Sequence, residues 1–160
     1  MSEARERMTW EDLGEAVRDL KTAIEADGFV PDAVLALARG GLPLAGALAY
    51  ALGVKNMATL NVEFYTGVDA RLEEPLLLPP IPDLAVLRAN RLLVVDDVAD
   101  TGRTLALVRE FCAAHAAEVK TAVAYEKPQS VVRSDYVWRR TERWIDFPWS
   151  AVVPVAASVH

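Results

Sequence analysis

The sequence has little cysteine and no excess of positive charge. Cys112 is the only cysteine in 160 residues, so no internal disulfide can form and a reducing compartment is expected. Acidic residues number 23 against 17 Lys and Arg, and the net charge of −6 argues against a primary nucleic-acid binder. No apolar run is long enough for a membrane span, and the charged residues 1–8 lack the apolar segment of a secretory signal. We therefore expect a cytoplasmic protein that binds neither nucleic acid nor membrane.

Length and composition indicate a single domain over residues 1–160. Apolar residues make up 52% and charged residues 25%, and no repeat or low-complexity linker divides the chain. Residues 1–8 are predicted to form a frayed tail. A helix is predicted to begin after Thr9, a good N-cap, and to end near Gly28. Cys112 falls in a later predicted helix, where a packed core thiol is expected.

The most informative stretch is residues 91–105. A short apolar run leads into adjacent acids, a turn rich in hydroxyls with one glycine, and a segment of helical periodicity. A turn that opens a helix offers free backbone N–H groups and the positive end of the helix dipole, which suit a phosphate. Asp96 and Asp97 do not suit phosphate, but they suit sugar hydroxyls or a hydrated cation. The stretch therefore predicts a site for a phosphorylated sugar.

Two further strand-and-turn units accompany this one. Residues 33–37 form a predicted buried strand that runs into an Arg-Gly-Gly turn at residues 39–41, and Lys127 follows a predicted strand at residues 119–125. In isolation, the turn is equally well a tight turn with a solvated arginine, and a lone lysine at a strand end is usually solvated. Together the units predict an α/β fold with a central, mostly parallel sheet flanked by helices. Such sheets bind ligands at the edge where their parallel strands end.

The run Val-Val-Asp-Asp-Val-Ala-Asp-Thr-Gly-Arg-Thr at residues 94–104 resembles the phosphoribosyl-pyrophosphate (PRPP) motif of the type I phosphoribosyltransferases. The resemblance covers about residues 33–150, and residues 144–149 resemble the late base-binding segment of the xanthine–guanine–hypoxanthine transferases. It implies the type I fold with a small C-terminal hood. It also implies Mg²⁺-dependent transfer of 5-phosphoribosyl from PRPP to a 6-oxopurine (hypoxanthine, guanine or xanthine) in purine salvage.

The resemblance assigns the sugar and its phosphate to residues of this motif. Asp96 and Asp97 would hold the ribose hydroxyls and Mg²⁺, directly or through water, and their charge would stabilise an oxocarbenium-like transition state. Asp100 would be the catalytic residue that handles the imidazole proton of the purine. The 5-phosphate would be held by Asp100, Thr101, Gly102, Arg103 and Thr104.

The resemblance also assigns the pyrophosphate to the earlier turn. Arg39, Gly40 and Gly41 would bind it, and the family's non-proline cis peptide is expected at the bond between Ala38 and Arg39. Relatives often carry an acid, thought to help hold a metal, after the Pro-Trp pair. Ser150 occupies that position here, which puts a second metal site in doubt.

The base would be bound by the last part of the chain. Lys127 would donate to a 6-oxo group, which favours a 6-oxopurine over a 6-aminopurine. Trp144 would stack on the purine and Ile145 would supply backbone contacts.

Alternatives remain open at this point. The acceptor could be another base, or the chain could be a non-catalytic regulator that senses PRPP. The prolines at residues 79–82 exclude a helix or a central strand, so residues 66–82 are predicted to form a lid or a subunit contact. Residues 129–143 are predicted to form a surface strand or hairpin, and the family implies a homo-dimer or homo-tetramer.

Overall fold

The architecture is an α/β sandwich around one six-stranded sheet. In the computed structural model of the protein, the described residues are 4–64, 75–83 and 89–151. The helices and strands within them alternate along most of the chain, as the strand–turn–helix pattern predicts. The elements are β1 (Arg5–Arg7), α1 (Trp10–Ala26), β2 (Ala33–Ala38), α2 (Leu42–Leu52), β3 (Met57–Phe64), β4 (Pro75–Leu78), β5 (Arg91–Ala99), α3 (Arg103–Ala113), β6 (Glu118–Glu126), β7 (Tyr136–Arg140) and β8 (Trp144–Asp146).

The main sheet has the strand order β4-β3-β2-β5-β6-β7. Its pairs are parallel except for β3 with β4, which is antiparallel. The mostly parallel sheet is therefore confirmed. Strands β2 and β5 lie at its centre, and the residues through which they pair with each other, 33–36 and 92–95, are all apolar, as expected for strands that are covered on both faces. The proline that begins β4 is tolerated because this is an edge strand.

The helices cover both faces of the sheet. Helices α1 and α2 pack on one face, through Leu20 and Leu48 among others, and α3 packs on the other through Val108 and Cys112. Helix α1 begins at the predicted N-cap, Thr9. The cap is a capping box, in which the Thr9 hydroxyl accepts from the backbone N–H of Asp12 and the Asp12 carboxylate accepts from that of Thr9. Cys112 is fully buried, which confirms the core thiol.

The prediction of a frayed tail over residues 1–8 was wrong for residues 5–7. Strand β1 pairs in parallel with β8, with Arg5 opposite Trp144 and Arg7 opposite Asp146. Because this pairing joins the two ends of the chain, local sequence patterns carry no signal for it. The hood is thus a ribbon of two strands, one N-terminal and one C-terminal, and it is called the β1–β8 ribbon below.

The segment at residues 129–143 contains strand β7 and does not form a hairpin. β7 pairs in parallel with β6, with Ala122 opposite Tyr136. The predicted lid at residues 66–82 lies partly outside the described residues, and within the described part β4 pairs with β3. Among the described residues, no helix combines the length and apolar character needed to cross a membrane.

Candidate active site

Three turns meet at one edge of the main sheet because strands β2, β5 and β6 are mutually parallel. The turn at residues 39–41 follows β2, the turn at residues 100–102 follows β5, and Lys127 follows β6. The structure therefore brings together the segments that the sequence predicts as ligand-binding. The turn at residues 100–102 and Lys127 line two adjoining pockets, whereas the turn at residues 39–41 lines neither and packs beside them against the end of the same sheet.

The first pocket, here called the turn pocket, has a volume of about 230 Å³. It is lined by Asp96 and by residues 98–105, so its walls are the end of β5, the turn and the start of α3. Backbone N–H groups at the start of a helix have no partner within the helix, and they give the pocket an anion-binding end. The hydroxyl residues Thr101 and Thr104 and the cationic Arg103 belong to the same wall.

Gly102 fixes the shape of this turn. Its φ of +77° lies in the left-handed region, and it is the N-cap of α3. A Cβ on Gly102 would overlap the hydroxyl of Ser130 and lie 3.0 Å from the backbone nitrogen of Val131. The Val131 N–H in turn donates to the Thr101 carbonyl at 2.8 Å. The loop after β6 therefore packs directly against the turn and holds its shape.

Asp96 and Asp97 form an acidic pair within β5, which continues past them to Ala99. The Asp96 carboxylate accepts from the backbone N–H of Asp97 at 2.8 Å, and the Asp97 carboxylate accepts from that of Val98 at 2.8 Å. Burial raises the pKa of both carboxyls, and for Asp96 the charge of Asp97 raises the pKa further. Desolvated neighbouring carboxylates gain stability from cationic or hydroxyl ligands, which fits a sugar or metal site.

The turn at residues 39–41 packs against this acidic pair. A Cβ on Gly40 would overlap the Asp97 carboxylate, and a Cβ on Gly41 would lie 3.0 Å from the Asp96 Cα. The glycines are therefore required by close packing. The peptide bond between Ala38 and Arg39 is cis, which confirms the prediction. The Arg39 side chain is exposed at this edge, where an anion can reach it.

The second pocket, here called the ribbon pocket, has a volume of about 340 Å³ and lies between the main sheet and the β1–β8 ribbon. The main sheet contributes Val98, Asp100 and Lys127. The remaining lining residues belong to the ribbon and the segment after it: Arg5, Trp144, Ile145, Asp146, Phe147, Ser150 and Ala151. The predicted base-binding residues thus lie in one pocket.

Lys127 is buried and is positioned by main-chain carbonyls. Its ammonium donates to the Arg143 carbonyl at 2.5 Å and lies 3.4 Å from that of Glu142. An ammonium has three N–H donors, so one remains for a ligand. The Trp144 side chain is 60% exposed, so its ring is accessible for stacking, whereas Ile145 is buried where it lines the pocket.

Asp100 lies where the two pockets meet, because it lines both of them. Its carboxylate accepts a hydrogen bond of 2.7 Å from the side-chain amide of Gln129. One carboxylate oxygen is thus held by the protein while the other can face a ligand. The sequence predicts Asp100 but gives no signal for Gln129, which reaches the site through the fold.

Glu126 is a buried carboxylate that sequence reasoning missed. It accepts from the backbone N–H of Ser134 at 2.7 Å and from Arg133 and Arg140 at 3.2 Å each. Burial opposes ionisation, but these hydrogen bonds outweigh it and lower the pKa of Glu126. Two arginines of the predicted surface segment at residues 129–143 therefore neutralise a buried acid, and these contacts hold the loop that carries Gln129.

Comparisons with known proteins identify the family. The family model described as phosphoribosyl transferase domain matches residues 9–156. A xanthine-guanine phosphoribosyltransferase of Ruegeria sp. (strain TM1040) is 33% identical over 154 residues, covering 89% of this chain and 83% of that protein. A second one, of Roseobacter denitrificans (strain ATCC 33942 / OCh 114), is 32% identical with the same coverage.

Solved structures agree with the sequence relatives. A purine phosphoribosyltransferase from Pyrococcus horikoshii Ot3 superimposes with a TM-score of 0.82 at 38% identity, covering 94% of this chain and 97% of that one. A xanthine-guanine-hypoxanthine phosphoribosyltransferase of Helicobacter pylori has a TM-score of 0.75 at 20% identity, covering 98% of this chain and 96% of that one, and supports the fold alone. The PRPP motif, its place at the sheet edge and these matches agree, and the chain belongs to the phosphoribosyl transferase domain family.

Proposed function

We propose that the chain transfers the 5-phosphoribosyl group from PRPP to a 6-oxopurine and releases a nucleoside monophosphate and pyrophosphate. The observation that carries this proposal is the junction at Asp100, which lines both the turn pocket and the ribbon pocket. A sugar phosphate in the first pocket and a base in the second would meet beside this carboxylate. The relatives named as xanthine-guanine phosphoribosyltransferases support a 6-oxopurine as the acceptor.

The turn pocket suits the phosphoribosyl group. Backbone N–H groups and side chains of residues 101–104, together with the Asp100 backbone, would hold the 5-phosphate. Asp96 and Asp97 would accept hydrogen bonds from the ribose hydroxyls. Arg39 and the backbone at Gly40 and Gly41 would hold the pyrophosphate, since this turn packs on the acidic pair.

Magnesium fits this donor set. Among the residues that the structure describes, no group of three or more His, Cys, Asp or Glu side chains could enclose a metal. Mg²⁺ is usually bound by one or two carboxylates together with water and substrate phosphates, and Asp96 and Asp97 provide such a pair. When bound, the ion supplies positive charge that neutralises the pyrophosphate leaving group.

In the reaction, the bond from the anomeric carbon to a pyrophosphate oxygen breaks and a bond to a purine imidazole nitrogen forms. Asp100 would accept the proton that this nitrogen loses, with its carboxylate oriented by Gln129. Positive charge that develops on the ribose ring would be stabilised by the nearby carboxylates Asp96 and Asp97. The pyrophosphate would leave toward Arg39.

The oligomeric state and location complete the proposal. We infer a single-domain cytoplasmic enzyme that forms a homo-dimer or homo-tetramer. A free, buried Cys112 suits a reducing compartment. Exposed apolar side chains outside the site, including Tyr50, Leu76 and Ile81, offer surface for a subunit contact.

The test is an acceptor panel. Purified protein with PRPP and Mg²⁺ is incubated separately with hypoxanthine, guanine, xanthine, adenine, uracil and orotate, and nucleotide formation is followed by chromatography. We expect product with oxopurines and none with adenine or the pyrimidines. Product with adenine alone or with a pyrimidine alone would show that the acceptor is a different base. A lack of product with every base would exclude the proposed transferase activity. PRPP binding without turnover would then favour a regulator.

Replacing Lys127 with alanine is expected to raise KM for the oxopurine about tenfold or more, because a hydrogen bond from a charged donor contributes about 1.5–3 kcal/mol. PRPP affinity should change little, since Lys127 lines only the ribbon pocket. Steady-state kinetics with each substrate varied in turn measures both effects. Lys127→Met, which retains the apolar stem, is the control for packing, and unchanged purine kinetics would rule out the base-reading role.

A further inference from the structure

An ion pair that the roles above do not use borders the ribbon pocket. The Arg5 guanidinium donates from Nε to one Asp146 carboxylate oxygen at 2.8 Å and from Nη2 to the other at 2.6 Å. Both residues line the pocket together with Lys127 and Trp144. Arg5 lies in β1, far along the chain from every other lining residue, so only the pairing of β1 with β8 brings it there.

The ribbon register places Arg5 beside the aromatic face. Arg5 is opposite Trp144, and its guanidinium carbon lies 5.9 Å from the centre of the Trp144 ring. Alternate residues of a strand share a face, so Trp144 and Asp146 project to the same side of the ribbon. A base that stacks on Trp144 would therefore lie close to the Arg5–Asp146 pair.

We propose that Arg5 is a specificity-determining residue that favours a purine with an oxygen at position 2. The inference rests on the proposed function and deepens it. Positions 6 and 2 flank N1 on the same edge of the purine. If Lys127 donates to the oxygen at position 6, the ribbon is the part of the pocket left to meet position 2.

The chemistry of the pair gives the order of preference. A guanidinium is only a donor, so it can bond the 2-oxo group of xanthine, finds no acceptor on C2–H of hypoxanthine, and meets another donor in the 2-amino group of guanine. Nε and Nη2 donate to Asp146, and within the described residues no hydrogen bond is formed by Nη1, so Nη1 is the nitrogen that would donate to a ligand. The hydrogen bond from Arg5 lowers the pKa of Asp146, so this carboxylate stays ionised and holds Arg5 in place.

The experiment compares kcat/KM for xanthine, guanine and hypoxanthine in the wild type and in Arg5→Ala. The xanthine value is expected to fall about tenfold or more relative to hypoxanthine, as for loss of one charged hydrogen bond. The guanine value should rise relative to xanthine, because the Asp146 carboxylate loses its partner and can accept from a 2-amino group. A role limited to holding the ribbon together would lower all three values alike.

Two further variants separate these readings. Arg7→Ala removes the other exposed arginine of the same strand. Arg7 lies opposite Asp146 but does not line the ribbon pocket, so the base ratios should stay at wild-type values. Arg5→Lys keeps the positive charge without the planar fork and should lose less xanthine activity than Arg5→Ala. Thermal melting is recorded for each protein.

The outcomes distinguish the inference from the proposed function. Equal losses on the three bases in both Arg5 variants would overturn the role of Arg5, as would a wild type that uses hypoxanthine and guanine but not xanthine. A wild type that forms nucleotide from none of the bases would instead overturn the proposed function.

Discussion

Replacing Asp100 with alanine is expected to lower kcat by about 10²- to 10⁴-fold, the usual range for loss of a positioned acid–base group. Asp100 lines both pockets, and Gln129 holds one of its oxygens at 2.7 Å. The other oxygen can therefore accept the imidazole proton as the new bond forms. PRPP affinity should change much less, since the backbone and neighbouring side chains of the turn provide most of the contacts to the 5-phosphate.

Two controls test whether this effect is chemical. Asp100→Asn keeps the size and the oxygen that Gln129 contacts but removes the base, so its kcat should be nearly as low as that of Asp100→Ala. Gln129→Ala leaves the carboxylate in place without its orienting bond, and a smaller loss in kcat is expected. PRPP binding is measured by calorimetry for each. If Asp100→Ala lost affinity and turnover in equal proportion, Asp100 would only support the turn.

The parts of the site that sequence predicts well are those made by consecutive residues. Asp96, Asp97, Asp100 and residues 101–104 form one strand end, one turn and one helix start, and each step has its own local signal. The fold class follows for a similar reason, because strand, turn and helix repeat along the chain. The prediction of the cis bond before Arg39 depended on the family resemblance, since the residue pattern alone does not indicate such a bond.

The parts that sequence misses are contacts across long distances in the chain. Arg5 reaches the ribbon pocket because β1 pairs with β8. Its ion-pair partner, Asp146, lies 141 residues away in the sequence. Residues 1–8 resemble a tail because a three-residue strand has too little periodicity to detect. The ion pairs of Arg133 and Arg140 with Glu126 are missed as well, because a carboxylate is not expected to be buried.

Replacing Gly41 with alanine is expected to destabilise the fold by about 3 kcal/mol or more, at the upper end of overpacking effects. The new Cβ would lie 2.6 Å from the carbonyl oxygens of both Leu37 and Val95 and 3.0 Å from the Asp96 Cα. These atoms are backbone atoms of the two central strands, so no side chain can rotate away. For a domain of this size the melting temperature should fall by roughly 6–12 °C, and turnover should be lost because the pyrophosphate turn and the acidic pair are pushed apart.

Gly46 provides the matched control because it lies in the same helix region with free space around it. It is inside α2, and a Cβ there would meet no atom within 4 Å. Gly46→Ala should therefore stabilise the protein by about 0.5–1 kcal/mol, the helix preference of alanine over glycine, with unchanged kinetics. Calorimetric melting of the two variants decides the matter. If Gly41→Ala melted at the same temperature as Gly46→Ala, the contact of this turn with β2 and β5 would not be tight. The claim that close packing joins the pyrophosphate turn to the acidic pair would then have to be abandoned.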